Sequence, residues 1–157
     1  MSKVMLRKPE EIVQRIRDSK SLFGFENEVF SRYLTFEQLK PLLKPDATSD
    51  GWNDTVYTEE QLRKDMAEYM SFAWGKCLSH RGISASRSVE KIGAWLWLLG
   101  DEDVLREFND APYTNYGAQK LAVACAAYEL PIPNSEELRR MMQGLPCEPG
   151  CDRGCGR

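Results

Sequence analysis

Histidine is almost missing from this chain: His80 is the only one in 157 residues. The sequence also has no G-x-S-x-G, no glycine-rich phosphate loop after a strand and no H-E-x-x-H, which removes the common hydrolase, nucleotide-binding and zinc-protease sites. Long apolar runs are lacking too. The longest strongly apolar run, Ala94 to Leu99, falls far short of the roughly 20 residues needed to span a bilayer. The beginning, MSKVMLRKPEE, has charges from Lys3 onward and no apolar core of signal-peptide length, so a cytoplasmic location is expected. Positive charge is not in excess. Lys and Arg number 21 against 24 Asp and Glu, a net charge of −3, so no global field attracts nucleic acid or an acidic membrane, and any such contact must be a local patch. No alternating strand with a hairpin turn occurs, and no long internal repeat or low-complexity segment.

What is present is helical punctuation. Pro9 with Glu10 and Glu11 makes a good first turn, because proline's missing donor costs nothing there and the carboxylates meet the positive end of the helix. Ile12, Val13 and Ile16 then form an apolar stripe to about Lys20. Phe23, Phe25, Val29, Phe30, Tyr33 and Leu34 predict a second helix carrying aromatic weight into the core. Thr35 to Gln38 reads as a capping box, opening a short helix to about Leu43. Lys44 to Tyr57 loses periodicity and is the main loop. Thr58 to Gln61 is a second box, opening the longest helix through Leu62, Met66, Tyr69, Met70, Ala73 and Cys77. Gly82 is placed to end it in the left-handed conformation, and Ser84 to cap the next, most buried helix, with Ala85, Val89, Ile92, Leu96 and Leu99 inward. Gly100-Asp101 separates this from a short acidic helix through Phe108. Another helix spans about Asn115 to Leu130, Pro131 and Pro133 break it, and Asn134 to Glu137 is a third box before Leu138, Met141 and Met142. The expected fold is all-α: one irregular bundle of about seven helices over residues 1–145, with a Cys-rich tail over 146–157.

Two segments carry chemistry. In the tail, Cys147, Cys151 and Cys155 are spaced by three residues, and Pro149, Gly150 and Gly154 oppose helix, so the chain must loop and can turn three thiolates to one point. Such spacing suits a structural zinc knuckle, with an iron–sulfur cluster as the lesser choice and an oxidisable terminus as the plain alternative. Cys77 and His80, one helical turn apart, are candidate fourth ligands, alongside Cys125, Glu148 and Asp152. The other segment is the turn from Ser79 to Ser88. There a helix start meets His80, Arg81 and Arg87 with four serines, the groups an anion such as phosphate or carboxylate seeks. At 100° per residue Ser84, Arg87, Ser88 and Lys91 share one face that continues as Trp95 and Leu98, a polar stripe running into an apolar region. The competing account is a structural network, with Ser84 a cap and Arg87 paired to a carboxylate from Asp101 to Glu107. Cys77 with His80 as nucleophile and base is less plausible than a core cysteine. Trp52, in the loop, is an aromatic expected on a partner surface. The N-terminal segment to Lys20 holds six basic and three acidic residues, the stretch Asp101 to Asp110 five acids against Arg106, which suggests charge complementarity within the fold or across a dimer.

The stretch HRGISASRSVEK from His80 to Lys91, AWLWLLGD from Ala94 to Asp101 and the tail PCxPGCxxGC from Pro146 to Cys155 resemble a group of small bacterial proteins of uncharacterised activity, over about Leu22 to the end. The resemblance implies no catalytic residue. Small helical proteins in phages and mobile elements suggest, by analogy, an inhibitor or adaptor. The expected function is therefore macromolecule binding, by preference protein binding, at His80, Arg81, Ser84, Arg87, Ser88 and Lys91, framed by the tail and Trp52, with no membrane contact. A metal-dependent enzyme acting on an anionic substrate held by Arg81 and Arg87, and a nucleic-acid binder, are the alternatives.

Overall fold

The computed structural model describes residues 4–52 and 57–144. The tail cysteines Cys147, Cys151 and Cys155 and part of the main loop lie outside the described residues. Eight α-helices and two 3-10 turns, with no strand, occur among the described residues. They are α1 (Pro9–Ser19), α2 (Phe25–Ser31), α3 (Phe36–Leu39), α4 (Glu59–Leu78), α5 (Gly82–Leu99), α6 (Glu102–Asp110), α7 (Ala118–Tyr128) and α8 (Glu136–Met142).

Side-chain caps start four of these helices. Thr35 accepts from the Gln38 amide while the Gln38 side chain accepts from the Thr35 amide, a complete box. Thr58 accepts from the Gln61 amide, yet the Gln61 side chain turns instead to Asp65 at 2.8 Å, so this box is half made. Asp101 caps α6 through the Val104 amide. At α8 the cap is Ser135, bonded to the Leu138 amide at 3.1 Å, and not the Asn134 expected from sequence. Other boundaries also moved. α2 is shorter than its aromatic run, and Phe23 stands outside it, 85% exposed, instead of in the core. α3 gives way after one turn to a 3-10 turn over Lys40–Leu42, where Pro41 removes an amide donor. Asn115 opens a 3-10 turn with Tyr116 in left-handed backbone, and α7 itself begins at Ala118.

The expected centre is the observed one. α5 packs against α2, α4, α6 and α7, and Ala85, Val89, Ile92, Leu96 and Leu99 are all buried. A hydrogen-bond relay fixes this centre. Trp95 Nε1 donates to the Tyr33 hydroxyl at 2.8 Å, which donates to Asp65 at 2.7 Å, joining α5, the end of α2 and α4. The N-terminal strap closes the far end of α5. The Arg7 amide donates to Leu98 O at 3.0 Å and Arg7 Nε to Trp97 O at 2.9 Å, while its guanidinium pairs with Glu102. These bonds satisfy carbonyls that the end of a helix leaves without partners.

Candidate functional site

The link from α4 to α5 decides where the chemistry-bearing residues point. The left-handed residue there is His80, φ 55°, not Gly82. Gly82 is instead the first residue of α5, and Ser84 lies inside the helix rather than capping it. The N-cap is Arg81, whose side chain makes no capping hydrogen bond to the first turn of α5. A histidine in left-handed backbone is held there by its side-chain contacts. Its ring stacks on Tyr116, centroids 5.2 Å apart and planes 18° apart, and Nε2 lies 2.5 Å from Glu137 Oε1 of α8. The imidazole is only 8% exposed, so His80 ties α4, the 3-10 turn before α7 and α8 together. A carboxylate on one ring nitrogen is also how a metal-bound imidazole is oriented. Among the described residues no group of three or more His, Cys, Asp and Glu is arranged to hold a metal ion.

Cys77 lies below this turn, buried, its thiol donating to Asn115 O at 3.3 Å. Burial, with Glu137 adding to it, pushes the thiol up to about 12. At neutral pH almost no thiolate forms, so Cys77 lacks the ionisation that a nucleophile needs.

The polar stripe on α5 divides in two. Ser88 is 0% exposed, its hydroxyl donating to Ser84 O at 3.0 Å and accepting from Tyr69 at 3.3 Å. Lys91 pairs with Glu28 at 3.2 Å and lies over the Tyr69 ring at 5.6 Å. These two side chains form the seam between α5, α4 and α2, and Trp95 continues it against Tyr69 with centroids 5.1 Å apart. Arg87 behaves differently. Its guanidinium sits 4.3 Å over the Phe25 ring, where a carboxylate from the α6 stretch had been the structural expectation. Arg81 and Arg87 are both exposed, and neither has an ion pair among the described residues.

Between them stands a residue that the sequence reading passed over. Ile83 is 75% exposed, one helical turn before Arg87. Its position was readable: at 100° per residue Ile83 lies about 200° around α5 from the apolar stripe of Ala85, Val89, Ile92, Leu96 and Leu99, almost directly opposite the core. Trp52 is elsewhere. It is half-buried against the core, its ring 6.3 Å from that of Phe36 in α3. The accessible surface near the turn therefore includes Arg81 at the N-cap and Ile83 and Arg87 on α5, with Phe25 under Arg87. No helix of the described residues is long and apolar enough to cross a membrane. Comparison of the chain with protein-family models, curated proteins and solved structures returns no match, so the reading of this surface rests on its own chemistry.

Proposed function

We propose that this chain acts by binding another protein, through the outer face of the first two turns of α5, and that the partner presents an apolar side chain flanked by carboxylates. The observation that carries this is Ile83, 75% exposed between two arginines that have no ion pair among the described residues. An exposed large aliphatic residue alone is ordinary. Here it lies one helical turn from an arginine over an aromatic ring, and arginine and aromatic residues are enriched at protein interfaces. The first-turn amides of α5, which the Arg81 side chain does not cap, and the positive end of the helix dipole add a site for a partner carboxylate next to Arg81.

Site-specific photocrosslinking tests the proposal. A benzophenone side chain at position 83 should give one dominant adduct in a lysate of the source cells, and the same group at Arg106, exposed on α6, should not. The purified crosslinked protein should then bind the unmodified chain directly. Identical adduct patterns from the two positions would contradict the assignment.

Zinc remains a proposal for Cys147, Cys151 and Cys155, supported by their spacing alone. Native mass spectrometry of reduced protein should find one zinc per chain, lost when the three cysteines are replaced by serine. A metal-free wild-type spectrum after purification with added zinc would reject the knuckle.

A further inference from the structure

Phe23, between α1 and α2, is the most exposed large apolar side chain among the described residues, at 85%. Exposure by itself means little, but this ring is held out by a built turn. Leu22, its neighbour, packs against the core. Ser21 Oγ accepts from the Phe23 amide at 3.2 Å, and Ser19 Oγ accepts from the Ser21 amide at 3.4 Å and from Asn27 Nδ2 at 2.6 Å. The same Nδ2 donates to Ser21 O, and Asn27 is itself only 2% exposed. A buried asparagine therefore braces the segment that displays Phe23, so little conformational freedom is lost when the ring is bound.

A receptor for such a ring lies beside it. Ser19 and Gly24, on either side of Phe23, line a cleft of about 580 Å³ between α1, α2, α5, α6 and the start of α7. We infer that Phe23 of one copy of this chain enters the cleft of a second copy, and the reverse, forming a two-fold dimer independent of the face proposed above. A two-fold contact uses the same patch on both subunits, so anchor and receptor must be neighbours on one surface, as they are here. Trp97, Leu105 and Phe108 supply apolar wall for the ring. The charges agree. Arg15 in the wall pairs with Glu26 at 2.5 Å, and Lys120 donates to the carbonyls of Phe108 at 2.8 Å and Asn109 at 3.1 Å. Glu90, also in the wall and exposed, has no ion pair among the described residues. Lys20, three residues before Phe23 and exposed, has none either. In the dimer each Lys20 faces Glu90 of the other copy, so the anchor brings a cation to the one wall carboxylate that lacks one.

The test is sedimentation velocity of the full chain in reducing buffer, where tail cysteines form no disulfide between copies. Wild type should dimerise with a dissociation constant between about 1 and 100 μM. Phe23→Ser should weaken the dimer at least about 30-fold with an unchanged melting temperature, because the ring touches solvent and not the core. Lys20→Glu and Glu90→Lys should each weaken it about fivefold, and the two together should restore it to within about twofold of wild type. A wild-type chain still monomeric at about 500 μM would overturn the inference. So would a dimer indifferent to Phe23→Ser, or a charge-swapped double variant no tighter than the single ones.

Discussion

Replacing Gly100 by alanine should destabilise the protein by about 3 kcal/mol, lowering its melting temperature by about 6–12 °C. Two separate effects add. Gly100 ends α5 at φ 72°, where a side chain costs about 1 kcal/mol. A Cβ there would also lie 1.7 Å from the Met5 carbonyl oxygen, a backbone atom, so the N-terminal strap would have to leave. With it would go the bonds from Arg7 to the carbonyls of Trp97 and Leu98, exposing the end of the most buried helix. The two effects separate by truncation. In a chain lacking residues 1–7 the same substitution should cost only about 1 kcal/mol, because nothing remains to clash. Equal losses in the two backgrounds would show that the strap does not rest on this glycine.

Tyr33→Phe should cost about 2–3 kcal/mol although it removes a single oxygen. That oxygen takes the Trp95 indole proton and gives its own to Asp65, so its loss orphans a buried donor and breaks a charge-assisted bond together. Trp95→Phe in the Tyr33→Phe background should cost less than it does alone, and strict additivity would argue against the relay. Alkaline pH gives a second readout. Burial, reinforced by Asp65, raises the Tyr33 pKa above its ordinary 10.0. A group held protonated in the folded state contributes its full stability below the unfolded value and loses it as pH rises above about 10. Tyr57, pushed by burial up to about 12, acts in the same direction. Melting temperature should therefore fall above pH 10, and less steeply in Tyr33→Phe.

How the fold was readable follows from which signals are local. α5 was legible because its apolar stripe keeps one face for about four turns and ends in Gly100-Asp101, both of which act as expected. α1, α4 and the Thr35 box were legible for the same reason, since cap and stripe agree. The failures lie where tertiary contacts choose among local options. Gly82 looked like the left-handed residue because glycine reaches that region freely, but stacking on Tyr116 and the bond to Glu137 hold His80 there instead. Neither partner is near it in sequence. Asn134 and Ser135 are both capping types, and only the register of Leu138 and Met141 in the core selects Ser135.

The site was legible in part. Helical spacing puts Ser84, Arg87, Ser88 and Lys91 on one face, but spacing alone does not say that Tyr69 and Glu28 engage Ser88 and Lys91 from neighbouring helices while Arg87 stays exposed. Phe25 beneath Arg87 was likewise invisible, since α2 reaches α5 only through the tertiary fold. Ile83 could have been found, because its angle on α5 opposes the core. The cleft around Asn27 had no signal in the sequence: five helices contribute to it, and no two of its polar groups form a motif.

The most direct test of the central claim, that the start of α5 is a protein-binding face, is the dissociation constant of the protein captured at position 83, measured against wild type and Ile83→Asp. Ile83 touches solvent more than protein, so the variant should melt within about 1 °C of wild type. Its affinity should fall at least 30-fold, about 2 kcal/mol, with a further loss for Arg87→Glu. An affinity within about twofold of wild type would contradict the account.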